Sequence, residues 1–250
     1  MIGIENKYNG VGKMNSNFKD IKEVFELTAK SEIIKSNLSF DQNYMYALTK
    51  ENAKKSRNLI ENDSKYGESS YKKYYKYLGK KLKDYSKEEI KTILKEIASS
   101  NSTHTSNINI DILSDYIFNN KKNFLFKLNS GNVEIVDEIS FIDGFIRKEK
   151  SFASKVCAYL CELEFKKSNF AVNDSVVRTI LPYYLNYFEI AKTTSKKLGN
   201  CSYTEFIDYI DRIKNKLKED LTFEEIDNII WYCYKNDSVR IAVATALSKR

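Results

Sequence analysis

Ser151-Phe152-Ala153-Ser154-Lys155 runs straight into Val156-Cys157-Ala158-Tyr159-Leu160-Cys161, and Ala171-Val172-Asn173-Asp174-Ser175-Val176-Val177-Arg178 follows shortly after. The first stretch reads as a helix with a lysine near its start. A lysine followed by so apolar a run has its stem drawn toward a wall or cleft rather than open water. Partial desolvation weakens an ammonium's preference for its charge, and an amine that is neutral near pH 7 is a nucleophile. Asp174 stands 19 positions after Lys155. It occupies the place of an N-cap ahead of Ser175-Val176-Val177-Arg178-Thr179-Ile180-Leu181.

The same helical grammar extends in both directions. Ser86-Lys87-Glu88-Glu89 is a capping box ahead of Ile90, Ile93, Leu94 and Ile97. Ser202-Tyr203-Thr204-Glu205 precedes Phe206, Ile207, Ile210 and Ile213, and Thr222-Phe223-Glu224-Glu225 precedes Ile226, Ile229, Ile230 and Tyr234. Further helices are expected at about 20–30, 41–59, 107–119, 132–146, 152–166 and 174–191, with Pro182 kinking the last. A short apolar helix is expected from Val239 to Leu247. Residues 1–19 read as an irregular start. The polar stretch Glu61 to Ser70 separates an N-terminal segment, 1–65, from a helical domain, 66–250. One proline and eight glycines do not suit a turn-rich β-sandwich. The expected fold is an all-α bundle of about eight to ten helices.

Composition sets the function classes. With 42% hydrophobic and 13% aromatic residues, the 250-residue chain can build a substantial core, so wholesale disorder is excluded. The formal charge of +7 fits a nucleic-acid binder, although lysine-rich usage lowers the weight of that excess. No apolar run approaches the ~18 residues of a membrane span, and no signal-peptide core opens the chain; the expectation is a cytoplasmic protein with no membrane partner. Cys157, Cys161, Cys201 and Cys233 have no C-x-x-C spacing and only one histidine to join them. They read as buried reduced thiols, with neither metal nor cofactor expected.

Taken together, these segments resemble the helix-hairpin-helix DNA glycosylases, in particular the lysine-bearing, 8-oxoguanine-type branch. In that family a hairpin of the form G-V/I-G-x-K opens a helix, and a V/P-x-D-x-x-V/W segment follows about 19 residues after the lysine. Ser151 to Lys155 and Asp174-Ser175-Val176-Val177 also look like the S-F-A-S/T-K and D-S-x-V segments of uncharacterised bacterial proteins. Those end in an I/L-D-x-x-I/L-W segment similar to Ile226-Asp227-Asn228-Ile229-Ile230-Trp231. A weaker likeness lies upstream, where Thr103-His104-Thr105-Ser106 is similar to a helix start of the superfamily. The likeness spans roughly residues 93–235. Two departures stand out: Ser151 and Ala153 replace the hairpin glycines, and Arg147-Lys148-Glu149-Lys150 replaces the usual L-P-G turn.

The resemblance implies a Schiff-base lysine at Lys155 and a catalytic aspartate at Asp174. It implies double-stranded DNA as partner, with DNA contacts from Arg147, Lys148, Lys150, Ser151, Ser154, Ser175, Arg178, His104 and Thr105. Lys155 would attack the anomeric carbon of a flipped nucleotide, displace a damaged or modified base and form an imine, after which elimination nicks the strand. Asp174 would stabilise oxocarbenium-like charge and move protons. Arg147, Lys148 and Lys150 would disfavour the ammonium form of Lys155. Two other classes compete: a DNA-binding module that keeps the fold without the chemistry, and a helical defence-associated interaction protein. Tyr71 to Tyr77, with its interleaved lysines, reads as an amphipathic helix before it reads as a base-stacking surface. Trp231 reads as core.

Overall fold

Hydroxyl and carboxylate side chains open most of the helices. Thr49, Ser86, Ser106, Asp174, Thr194, Ser202 and Thr222 each accept a backbone N–H from the first turn they precede. The computed structural model describes residues 46–63, 69–101 and 103–235, which form eleven α-helices and one 3-10 turn, with no strand. In chain order these are α1 (Lys50–Glu61), α2 (Ser70–Leu78), the 3-10 turn (Leu82–Asp84), α3 (Lys87–Ser100) and α4 (Asn107–Asn119). Then come α5 (Lys121–Ser130), α6 (Glu134–Ser140), α7 (Lys150–Phe165), α8 (Ser175–Tyr187), α9 (Ser195–Asn200), α10 (Tyr203–Lys214) and α11 (Phe223–Tyr234). The helices expected at 20–30 and 239–247 lie outside the described residues. No described helix is long and apolar enough to cross a membrane.

The expected all-α class holds, with differences in detail. The helix expected over 132–146 stops at Ser140, and the nine residues from Phe141 to Glu149 form a loop. Its apolar pattern continues because Phe145 is buried, but Gly144 sits at φ +92, which no helix continues through. The helix expected over 41–59 begins only at Lys50, after its Thr49 cap. The helix over 174–191 continues past Pro182 but ends at Tyr187. Two helices were not anticipated. α5 follows α4 with Asn120 serving as both C-cap and N-cap, so no separate start signal exists, and α9 is only six residues long.

α7 is the central element, with Phe152, Ala153, Val156, Cys157, Leu160 and Cys161 all 1% exposed or less. It packs on α6, α3 and α5, while α8 packs on α11 and α11 on α1. A buried tyrosine cluster ties the last two contacts together. The Tyr184 hydroxyl donates to Tyr46 O (2.8 Å), and Tyr46 N donates to the Tyr234 hydroxyl (3.2 Å). Tyr71 of α2 is buried whereas Tyr77 is 83% exposed, as an amphipathic helix requires. The four cysteines form no disulfide among the described residues; Cys157, Cys161 and Cys233 are buried and Cys201 is half-buried, and burial pushes the Cys157 thiol well up.

Candidate functional site

Lys155 lies one and a half turns into α7, where the helix buries nearly its whole circumference, so the side chain is only 7% exposed. Asp174 caps α8. Its Oδ1 accepts the amides of Val176 (2.9 Å) and Val177 (3.0 Å), which leaves Oδ2 free to face the Lys155 ammonium at 3.5 Å. Two residues far apart in sequence thus form one buried ion pair. Burying two charges is costly unless their remaining hydrogen-bonding capacity is met, and the cap supplies two of those bonds.

The residues beside them set this geometry. Ser154 Oγ accepts the Asn173 amide at 3.0 Å and donates to Ser151 O, so the position before the lysine is tied to the position before the aspartate. Arg178 closes the set from the first turn of α8, its guanidinium donating to Asn173 O (2.8 Å) and Oδ1 (2.9 Å). Burial lowers the pKa of Arg178, with Asp174 opposing that shift. Ser154, expected at a DNA surface, is fully buried; Arg178 is partly buried and spends its donors inside the protein; Ser175 is exposed.

Lys155 and Asp174 line a cleft of about 450 Å³ that also receives Asp227, Tyr159 and Trp231. Tyr159 stacks on Tyr71 (4.7 Å between centroids, 9° between planes) and donates its hydroxyl to Asn101 Oδ1. Trp231, read from sequence as core, packs against the core and also forms part of the cleft wall. Asp227 of α11 has its Oδ1 sealed from solvent without a hydrogen-bond partner. Burial first, then the neighbouring Asp174, raises its pKa well above the usual carboxylate range, with Lys155 opposing. Asp227 carried no role in the sequence reading, although it sits in the Ile226 to Trp231 segment. The polar position on an otherwise apolar stripe was the available signal.

The cations at 147, 148 and 150 are arranged differently from the expectation. Lys150 turns inward, and its amine donates to the carbonyls of Cys201 and Gly199. Burial, then Lys148, lowers its pKa. Arg147 is bound to Glu149 (2.9 Å) and donates to His104 O (3.0 Å). The expected electrostatic push on Lys155 from this trio therefore has little basis, since Arg147 is already paired and Lys150 points toward α9. Lys148 is exposed. His104 is exposed at φ +51, and Thr105 donates to the Thr103 hydroxyl.

Asn109, fully buried in the first turn of α4, holds this loop. Its Oδ1 accepts the Ile146 amide (3.0 Å) and its Nδ2 donates to Glu149 Oε1 (3.2 Å). Asn109→Ala should lower stability by about 2 kcal/mol, because it strands a backbone amide and removes a donor from a buried carboxylate. Urea unfolding with an unchanged slope and a lowered midpoint is the expected result; an unmoved midpoint would show that the loop is held otherwise. Among the described residues, no cluster of His, Cys, Asp and Glu could hold a metal ion. Compared with known proteins, the chain matches no family model, no curated protein and no solved structure.

Proposed function

We propose that the protein acts on double-stranded DNA as a lysine-dependent glycosylase and abasic-site lyase, excising a damaged or modified base into the Lys155 cleft. The observation that supports this reading is the buried Lys155–Asp174 pair at 3.5 Å in an aromatic-walled cleft large enough for a flipped base. Passing a proton from the ammonium to Asp174 Oδ2 leaves a neutral amine inside a partly dry site. That amine is the nucleophile required to attack an anomeric carbon. Tyr159 and Trp231 supply aromatic surface for a base taken out of its stack.

The test is sodium borohydride reduction in the presence of a duplex carrying an abasic site and of one carrying 8-oxoguanine. A covalent protein–DNA adduct is expected, since borohydride reduces an imine to a stable amine. DNA binding without any adduct would favour the non-catalytic binding module.

Binding itself should be electrostatic and largely independent of sequence. Each phosphate contact adds about 0.9 to the slope of log K against log salt concentration. Lys148→Ala is expected to flatten that slope by about one unit. Lys150→Ala should leave the slope unchanged and lower stability instead, because its amine is bound inside the protein. A slope that responds to Lys150 and not to Lys148 would place the DNA elsewhere.

A further inference from the structure

Two ionisable side chains of the cleft are already committed. Asp174 uses Oδ1 to cap α8 and Oδ2 to face the amine, and Lys155 is the attacking group. Among the described residues, Asp227 alone combines a place on the cleft wall with a buried oxygen that no protein group partners. It comes from α11, one turn before Trp231, so it reaches the site from a different element than the nucleophile on α7. The charged groups around it are Asp174, Lys155 and Glu224, with Glu162 of α7, Arg57 of α1 and Lys72 of α2 on the remaining walls. Glu162 is paired with Lys72 (3.3 Å), and Glu224 lies 3.8 Å from Arg57, whose closer partner is Glu61 (2.9 Å). Burial raises the pKa of Glu224 too, but neither glutamate has a sealed oxygen without a partner, as Asp227 does. A carboxyl that must sit among two other carboxylates with an unpartnered oxygen is most stable with its proton on.

We propose that Asp227 is the general acid of the cleft, giving its carboxyl proton to the departing base as Lys155 displaces it. The inference rests on the lysine-dependent reading above. In the step, the Lys155 amine forms a bond to the anomeric carbon, and the glycosidic C–N bond breaks with its electron pair passing to the base. The Asp227 O–H proton moves to that base, which leaves neutral, and Asp227 becomes a carboxylate. The ammonium formed on Lys155 then passes a proton to the ring oxygen as the sugar opens to the iminium. No oxidant, reductant or metal enters the balance.

The two half-reactions separate the claims experimentally. An abasic duplex has no base to expel, so trapping on it needs Lys155 and not Asp227. Base release from duplexes bearing 8-oxoguanine or other single modified bases needs both. Asp227→Asn should trap on the abasic duplex as the wild type does, yet release base at least ~100-fold more slowly, the usual worth of a general acid. The wild type offers a second readout that does not depend on any variant folding. Only the protonated carboxyl can donate, so base release should fall as pH rises through the elevated pKa of Asp227, while abasic trapping should not fall with it. Wild-type rates in Asp227→Asn, an alkaline limb shared by both assays, or abasic trapping with no base released from any duplex would each overturn the assignment. Absence of wild-type trapping on the abasic duplex would instead remove the lysine reading, and this inference with it.

Discussion

Lys155→Ala is expected to abolish the borohydride adduct on abasic and base-bearing duplexes alike, a loss of more than about a thousand-fold. No other described side chain offers a buried amine to this cleft: Lys72 is paired with Glu162, and Lys167 donates to Asn129. Affinity for DNA should stay close to that of the wild type, because one buried side chain adds little to an interface made of several phosphate contacts. Stability is the complication. Truncation leaves Asp174 without its cation, and breaking a buried pair from one side costs about 3 kcal/mol or more where nothing else compensates. Here the two amides on Oδ1 soften that loss. Lys155→Arg separates the effects, since a guanidinium keeps the charge beside Asp174 but forms no imine. Both variants should bind without trapping. An adduct that persists in both would place the nucleophile elsewhere.

Asp174→Asn carries the second large effect. An amide neither accepts the Lys155 proton nor stabilises positive charge developing on the sugar, so base release should slow by about 100-fold or more. The capping role is affected less, because asparagine is also a good N-cap and its oxygen can still accept from Val176 and Val177. The broken pair still leaves the Lys155 ammonium without its counter-charge, so stability should fall by about 3 kcal/mol, and Asp174→Ala, which removes the cap as well, should lose about 1 kcal/mol more. Single-turnover base release measured beside urea unfolding resolves the two roles. If Asp174→Asn keeps its rate, the residue serves the helix start and the buried ion pair and nothing more.

Local chemistry was legible in the chain wherever it acts over a few residues. The boxes at Ser86–Glu89 and Thr222–Glu225 form as their spacing requires, with both reciprocal hydrogen bonds, and Ser202 caps α10 through the Glu205 amide. The N-cap at Asp174 and the apolar run after Lys155 were equally readable, since a helix start needs only its own first turn. α5 was missed because a shared Asn120 replaces a separate start signal. The apolar periodicity over 132–146 overruns the helix because it does not register where the chain turns; the turn is held by Asn109, more than thirty residues upstream.

What the sequence by itself determined is an all-α protein with a lysine near one helix start and a capping aspartate at the next. Tertiary structure alone decided that they meet, that Ser154, Asn173 and Arg178 hold them in place, and that Asp227 joins them from α11. It also turned Lys150 inward, although the chain reads as a run of surface cations. The reason lies in the range of the forces. Capping and helical periodicity act within a turn or two, whereas desolvation and ion pairing depend on what the fold brings within a few ångströms, which no spacing along one chain encodes.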